Sequence, residues 1–311
     1  MFYSKYTSQL FPARIGVPRL LFFMAAALGI ILYVSPGRAY GLQTQDSKGK
    51  ERSDSTAAQN KPATNRKSLK AARVGKAGRK HSKAGMTYIP AGWFYMGCAP
   101  ADIQCRDDEK PYHRVYLSAY YIDTNNVTVS DYAGCVSAGA CTKPAAGDCC
   151  NFGIHGMDNY PANCVSWDQA NRYCKWAKKR LPTEAEWEKA ARGTQGRIYP
   201  WGNEWDPDKA CFNKGFTCPA GSYPAGAGPY GVMDMAGNVY NWVHDFYAAD
   251  YYSGSPQQNP KGPGQGAYRV LRGGSYLNLS WQLRTSSRNY LAPADRYVNT
   301  GFRCAVTSSK P

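Results

Sequence analysis

Two stretches of the chain combine a polar start signal with the apolar spacing of a helix. In Ser166–Gln169 and in Thr183–Glu186, a hydroxyl residue is followed three positions later by Gln or Glu, which is the capping-box pattern. After the first box, small and apolar residues recur at helical spacing at Ala170, Tyr173, Cys174 and Ala177. We therefore predict a helix after each box, and a short third helix that is capped by Ser130 and continues through Ala138.

Strand signals are sparse in this chain. Apolar residues alternate with more polar ones at Val115, Leu117, Ala119 and Tyr121, which predicts one face of a strand. Most of the remaining sequence is rich in Gly, Pro, Asn, Asp and aromatic residues and has no sustained period. We therefore predict an α+β fold with little regular secondary structure, whose order comes from disulfides, bound ions and buried aromatic side chains.

A third hydrophobic feature lies near the start of the chain. Residues 20–34 form a run of 15 uncharged, mostly apolar residues that follows three basic residues and precedes small ones. This order is typical of a secretory signal peptide, and an uncleaved signal anchor is the alternative. Because the positive flank stays in the cytoplasm in both cases, we predict that residues 1–41 export the protein to the periplasm, the medium or the outer face of the membrane.

The positive charge of the chain, +16 in total, is concentrated before the predicted domain. Residues 42–85 carry twelve Lys and Arg against three Asp and Glu, and they contain no aromatic residue. Such a segment cannot bury enough apolar surface to offset its ordering entropy, so we predict a basic, disordered tether. We expect it to lie near anionic lipid or cell-wall polymer, and we expect no nucleic-acid partner. The nearly neutral residues 86–311 are predicted to form one domain.

All eleven cysteines lie within this predicted domain, between Cys98 and Cys304. In an exported domain they indicate disulfides. The alternative, a zinc site, is not favoured, because the sequence contains no C-x-x-C motif. Sequence spacing does not fix the pairing, although three close pairs suit local loops: Cys98 with Cys105, Cys135 with Cys141, and Cys211 with Cys218. The odd number leaves at least one thiol free or intermolecular, and we expect it at the adjacent Cys149 and Cys150.

Longer strings of the sequence carry a family resemblance. They are, in order, MTYIPAGWFYMG at 86–97, RLPTEAEWE at 180–188, YPWGNEW at 199–205, YGVMDMAGNVYNWVHD at 230–245, VLRGGSY at 270–276 and NTGFRCA at 299–305. Together they resemble the formylglycine-generating enzymes, also called sulfatase-modifying factors, over about residues 86–311. The resemblance implies a variant C-type-lectin-like fold stabilised by calcium and disulfides, and it implies a long-range disulfide between Cys174 and Cys304.

The resemblance also implies a structural calcium cofactor, an ion that prefers oxygen ligands. One family calcium site is matched by Asp234, Asn241 and the carbonyl groups of Gly237 and Val239. The start of a second site is matched by Asn213 and the carbonyl group of Lys214. The alternative is that these residues only form turns, which Asp and Asn favour without any metal.

The chemistry of the family is the oxidation of a substrate cysteine to formylglycine with O₂ and copper. Active members of the family carry two cysteines a few residues after the RGGS string. In this chain residues 276–288 contain no cysteine. Copper(I) is a soft ion that prefers thiolate ligands. We therefore expect neither bound copper nor formylglycine formation.

Two function classes remain. The first is a binding or accessory protein that contacts a protein, peptide or cell-envelope ligand, and contacts the membrane if the leader is uncleaved. Its predicted ligand-binding surface lies between RGGS and GFR and consists of Ser275, Tyr276, Asn278, Trp281, Arg284 and Arg288. The alternative for Arg284 and Arg288 is a structural role as buried ion-pair partners. The second function class is a divergent oxidoreductase that acts on a peptide or metabolite.

Overall fold

The computed structural model describes residues 83–308. The predicted leader and residues 42–82 of the predicted tether lie outside the described residues. Within 83–308, no helix combines the length and the apolar character that are needed to cross a membrane.

Short elements connected by long loops build the described part of the chain. The helices are α1 (Val129–Ser137), α2 (Trp167–Trp176), α3 (Glu184–Arg192) and α4 (Tyr251–Gly254). The strands are β1 (Met86–Ile89), β2 (Gly92–Met96), β3 (His113–Leu117), β4 (Tyr120–Asp123), β5 (Tyr240–Phe246), β6 (Arg269–Arg272), β7 (Arg288–Leu291), β8 (Thr300–Phe302) and β9 (Ala305–Thr307). This composition confirms the predicted α+β class with little regular structure.

The strands form three small sheets, with the orders β1-β4-β9, β2-β3 and β7-β6-β5-β8. Only the pairing of β5 with β8 is parallel among these described strands. The indole rings of Trp187 on α3 and Trp242 on β5 are fully buried in two neighbouring apolar clusters. The four-stranded sheet positions the RGGS string, because β6 ends at Arg272 and β7 begins at Arg288.

The three main helices begin with capping boxes, two of them where the sequence predicts. Ser166 and Thr183 each accept a hydrogen bond from the backbone amide three residues later. The start predicted for α1 is wrong by two residues: its cap is Thr128, and Ser130 lies inside the helix. The Thr128 hydroxyl accepts from the Asp131 amide at 3.1 Å, and the Asp131 carboxylate accepts from the Thr128 amide at 3.1 Å.

The single predicted strand at 115–121 is in fact two strands, β3 and β4. The chain changes partners between them, because β3 pairs with β2 while β4 lies between β1 and β9. At the break, the Ser118 amide donates to the Asn259 side chain at 2.8 Å instead of to a strand. The four alternating apolar residues are all buried, so the predicted face is correct although the strand is interrupted.

Five disulfides connect ten of the cysteines. Cys174–Cys304 is the pair that the family resemblance implied, and three others join the close pairs that suit local loops, for which spacing left the pairing open. The fifth, Cys150–Cys164, was not predicted. Cys149 is left as an exposed free cysteine, which confirms the expectation of a free thiol at the adjacent pair. The Cys174–Cys304 disulfide joins α2 to the end of the chain across 130 positions.

Candidate functional site

The RGGS string makes a sharp turn directly after β6. Gly273 and Gly274 have φ angles of +92° and +67°, which glycine adopts without steric cost. A Cβ atom on Gly273 would lie 2.9 Å from the Trp187 ring, and one on Gly274 would lie 2.9 Å from the Gln282 carbonyl oxygen. The two glycines therefore let the following segment, 275–287, fold tightly against the core.

Buried arginines bind this segment on the side that faces the interior of the domain. The Arg272 guanidinium donates to the Thr285 and Ser286 carbonyl oxygens at 2.5 and 2.9 Å, and to the Glu188 carboxylate at 2.6 Å. The Arg284 guanidinium donates to both carboxylate oxygens of Glu109, at 2.8 and 2.7 Å. Bidentate charge-assisted pairs of this kind fix direction as well as distance. These pairs fix the side of the segment that faces the interior of the domain.

Arg288 closes the same polar layer at the start of β7. Its guanidinium donates to the two carboxylate oxygens of Glu184 at 2.8 and 3.0 Å. Burial raises the pKa of Glu184, but the positive charges of Arg288 and Arg272 outweigh burial, so the pKa lies below its ordinary value. The layer is therefore a network of ionised groups that lies inside the domain.

These contacts correct the predicted binding surface. Arg284 and Arg288 are fully buried ion-pair partners, which was the alternative that the sequence left open. Ser275 and Tyr276 are buried as well, so four of the six residues do not line a surface. The physical reason is that nearby carboxylates and carbonyl groups satisfy the guanidinium donors and permit their burial. Asn278 and Trp281 remain partly exposed.

Ser275 and Asn278 form the bend that follows the glycines. The Ser275 hydroxyl donates to the Asn278 side-chain oxygen at 2.5 Å and accepts from the Leu277 amide at 3.3 Å. It also accepts from the Asn299 side-chain amide at 3.4 Å, which ties the bend to the loop before β8. With these three partners, the hydroxyl holds the shape of the bend.

The exposed side chains of the segment are ones that sequence reasoning missed. Leu277 and Leu279 are 55% and 62% exposed, although both are large and apolar. Phe216, which is 64% exposed, lies on the loop 211–218, whose Asn213 amide donates to the Tyr276 carbonyl at 2.9 Å. We call Phe216, Leu277 and Leu279 the apolar rim. The sequence analysis predicted Tyr, Trp and Arg as contact residues. No pattern in the sequence indicated that the residues of the apolar rim would be exposed.

No thiolate pair faces this segment from the described residues. The one group of metal-binding side chains found between residues 83 and 308 consists of Cys98, Asp102 and Cys105. Its two cysteines are joined in a disulfide, and Asp102 pairs with Arg284 at 2.7 Å. These groups are therefore engaged with each other and with the arginine layer.

The residues of the first predicted calcium site do not fit that ion as they are placed. The side-chain oxygen of Asn241 accepts from Arg303 at 2.7 Å and from Trp187 at 3.1 Å. Its amide nitrogen donates to the Val239 carbonyl oxygen at 3.0 Å. A flipped amide would point its hydrogens at two donors, so the orientation is fixed. In this orientation its N–H, and not its oxygen, faces the Val239 carbonyl group that was predicted to bind the ion.

The other predicted calcium groups are no better arranged. One carboxylate oxygen of Asp234 accepts from the Gly221 amide at 2.7 Å, and this carboxylate is buried. Asn213 and Lys214 lie on an exposed loop, and no carboxylate joins them in a metal-binding group among the described residues.

We therefore expect removal of calcium to leave the stability of the protein unchanged. A calcium ion present at a hundred times its Kd would add about 2.7 kcal/mol to the free energy of unfolding. Urea unfolding of the purified protein, with excess calcium and with excess EDTA, measures this difference. A loss of stability in EDTA that added calcium restores would contradict the expectation.

Fold and site together define a disulfide-stabilised α+β domain in which buried arginines, and no thiol pair, shape the segment after RGGS. A family model described as the sulfatase-modifying factor enzyme 1-like domain matches residues 70–308. The formylglycine-generating enzyme of Streptomyces coelicolor is 36% identical in an alignment of length 295 that covers 76% of this chain and 93% of that enzyme. The chain belongs to the sulfatase-modifying factor family.

Two further proteins are similar to this chain. The solved structure of PvdO from Pseudomonas aeruginosa superposes with a TM-score of 0.64 at 28% identity, covering 72% of this chain and 94% of PvdO. The serine/threonine-protein kinase pkn1 of Chlamydia caviae is 37% identical in an alignment of length 241 that covers 71% of this chain and 37% of the kinase. The variant C-type-lectin-like fold that the resemblance implied is thus the fold of this chain.

Proposed function

We propose that this domain is a non-enzymatic binding protein whose contact surface is the apolar rim with Asn278 and Trp281. The observation that carries the proposal is that Leu277 and Leu279 are exposed on a segment whose base is locked by buried ion pairs. Apolar side chains held in place on a rigid base lose little conformational entropy when a ligand covers them.

The chemistry of the surface favours a polypeptide ligand. Leu277, Leu279 and Phe216 supply apolar area, and the side chains of Asn278 and Trp281 supply polar groups at its border. A peptide offers both apolar side chains and backbone hydrogen bonds to such a surface. The five disulfides support the further proposal that the chain is exported, because disulfides persist in oxidising compartments.

Peptide selection tests the binding function. We expect peptides selected from a displayed random library on the immobilised protein to be rich in apolar residues. Binding measured by calorimetry should weaken at least about tenfold in the double variant Leu277→Ser/Leu279→Ser, since it loses two buried aliphatic contacts. Tyr95→Ser, which alters an exposed residue on β2, is the control and should bind normally. Equal loss in both variants, or none in either, would contradict the proposal.

The second candidate is a divergent oxidoreductase, and the relationship to the Streptomyces coelicolor formylglycine-generating enzyme favours it. Against it stands the absence of cysteine from residues 276–288. Oxygen uptake by the purified protein with a cysteine-containing peptide, with and without added copper, decides between the two functions. Catalytic turnover in either condition would exclude a purely binding role.

A further inference from the structure

The pairing of β5 with β6 is interrupted at the end of the two strands that lies away from the RGGS turn. Four steps along β5, from Trp242 to Phe246, face only two steps along β6. Such a bulge leaves residues of the longer strand without a partner in the ladder. Within it, the His244 amide donates to the Pro182 carbonyl oxygen at 2.8 Å, and the imidazole of His244 is exposed.

The side chain of Arg269, the first residue of β6, lies against this bulge. Its guanidinium donates to the His244 carbonyl oxygen at 2.6 Å. The guanidinium carbon lies 3.8 Å from the centre of the Trp167 ring and 3.4 Å from the centre of the Phe246 ring. The Nε atom of Arg269 is buried and has no hydrogen-bond partner among the described residues. The cation is therefore held in a fixed position with a donor that the protein does not use.

The charge of Arg269 is also not neutralised by an ion pair. Between residues 83 and 308, no ion pair includes Arg269, whereas Arg272 and Arg288 both have carboxylate partners. Burial lowers the pKa of Arg269, and the charges of Asp245 and Asp168 oppose this lowering without cancelling it. A partly buried cation in this state is stabilised by an anion that enters from outside.

A cavity of about 250 Å³ lies beside this cation. It is lined by three basic residues, one aromatic ring and a glycine-containing loop, namely Arg269, His244, Lys261, Phe246 and residues 262–264. The loop can approach β5 because residue 262 is glycine: its φ angle is +78°, and a Cβ atom on Gly262 would lie 2.6 Å from the Asp245 Cβ. No acidic residue is among the described residues that line the cavity.

We propose that this cavity binds a phosphate group, at a site separate from the apolar rim. Arginine presents a planar fork of donors to an oxyanion, and lysine presents a point charge. A phosphate dianion has oxygens in tetrahedral directions, so it can accept from β5, β6 and the loop together. A planar carboxylate has two oxygens and a single charge, and it matches three basic groups less well. Free phosphate, a soluble phosphate ester and a phospholipid headgroup share this chemistry.

His244 gives the site a local readout. Burial, and next the charges of Arg269, Arg180 and Lys261, lower the pKa of His244, and Glu186 opposes them. The imidazole is therefore uncharged at neutral pH when the cavity holds no anion. A phosphate dianion beside it would raise this pKa, because an opposite charge favours the protonated form.

NMR titration of the purified full chain, labelled at histidine, tests the inference. Inorganic phosphate is added at constant ionic strength and about pH 7.5, where it is mainly a dianion. We expect the His244 resonances to shift saturably and the His244 pKa to rise, while His155 on an exposed loop does not respond. Acetate should bind at least about tenfold more weakly than phosphate. Equal affinity for acetate, or a shift that is the same for both histidines, would overturn the inference.

Two variants of the cavity and two controls locate the binding. Arg269→Gln should weaken phosphate binding at least about tenfold, and Lys261→Ala about fivefold. Lys261 is exposed, so its variant keeps the inference testable if Arg269→Gln folds poorly. Lys143→Ala removes the same charge from an exposed loop outside the cavity and should bind phosphate normally. Leu277→Ser/Leu279→Ser should also bind phosphate normally. Equal affinities in Lys261→Ala and Lys143→Ala would overturn the inference.

Three probes distinguish the sources of the phosphate group. They are inorganic phosphate, glycerol 3-phosphate, and phosphatidylcholine vesicles that contain phosphatidic acid. The source whose binding is tightest, and is weakened in Lys261→Ala relative to Lys143→Ala, is the one that the cavity takes. This difference is needed for the vesicles, because the basic residues 42–85 also attract an anionic surface. Failure of all three probes to show it would overturn the inference and would leave the binding function of the apolar rim unaffected.

Discussion

Glu184→Gln is expected to lower the free energy of unfolding by about 3–5 kcal/mol, the cost of leaving a buried charge without its partner. Glu184 accepts from Arg288 through both carboxylate oxygens and also from the Tyr252 hydroxyl at 3.1 Å. Glutamine keeps one acceptor but removes the negative charge. Arg288 then remains ionised inside the domain, where desolvation of its charge is no longer offset.

Urea unfolding with linear extrapolation measures this loss. Glu204→Gln is the matched control, because it makes the same chemical change at an exposed position. We expect the control to change stability by less than about 0.5 kcal/mol. A similar small change in Glu184→Gln would show that the buried layer does not hold the segment after RGGS.

The pH dependence of the same variant follows from the direction of two pKa shifts. The pKa of Glu184 is lowered in the folded protein, so its stabilising effect is present above the unfolded pKa of about 4.3 and is lost as the pH falls through the folded value. Glu184→Gln should therefore lose less stability than the wild type on acidification.

Burial, and next the charge of Glu184, raise the pKa of Asp245. The stability that Asp245 contributes is lost as the pH rises through its folded pKa, and the variant should lessen this loss.

Local signals could be predicted from the sequence, and distant pairings could not. The boxes at Ser166 and Thr183 involve groups three residues apart, so the sequence contains the whole interaction. Ser130, the predicted cap, and Thr128, the observed cap, lie two residues apart, and both side chains carry hydroxyls. The choice between them depends on Asp131, which reaches back to Thr128.

The two roles left open for Arg284 and Arg288 are an example of interactions that the sequence alone does not determine. Their carboxylate partners, Glu109 and Glu184, lie 175 and 104 positions earlier in the chain. A guanidinium group is equally suitable for a binding surface and for a buried ion pair. Which of the two roles it has depends on whether the folded chain brings a carboxylate next to it. The exposure of Leu277 and Leu279 is decided in the same way, by the direction in which a loop leaves the double glycine.

Removal of the Cys174–Cys304 disulfide is the change for which we expect the largest single effect on stability. Its loop of 130 positions restricts the unfolded chain strongly, and the chain-entropy model assigns about 5 kcal/mol to it. Both cysteines are fully buried and pack in the apolar cluster around Trp242. Cys174→Ala/Cys304→Ala is expected to fold poorly at 37 °C and to unfold at a much lower urea concentration.

The short Cys211–Cys218 disulfide provides the comparison that tests this reason. Its separation is 7 positions, for which the same model gives about 2.4 kcal/mol. The two double-alanine variants should therefore differ by roughly 2–3 kcal/mol in the free energy of unfolding. Equal losses in the two double-alanine variants would contradict the explanation by loop length. If loop length decides the difference, the variant without the long loop loses more stability than the variant without the short loop by about the amount that the model gives. The disulfide between α2 and the link from β8 to β9 then stabilises the domain chiefly by limiting the unfolded chain, which is the role that its long separation in the sequence predicts.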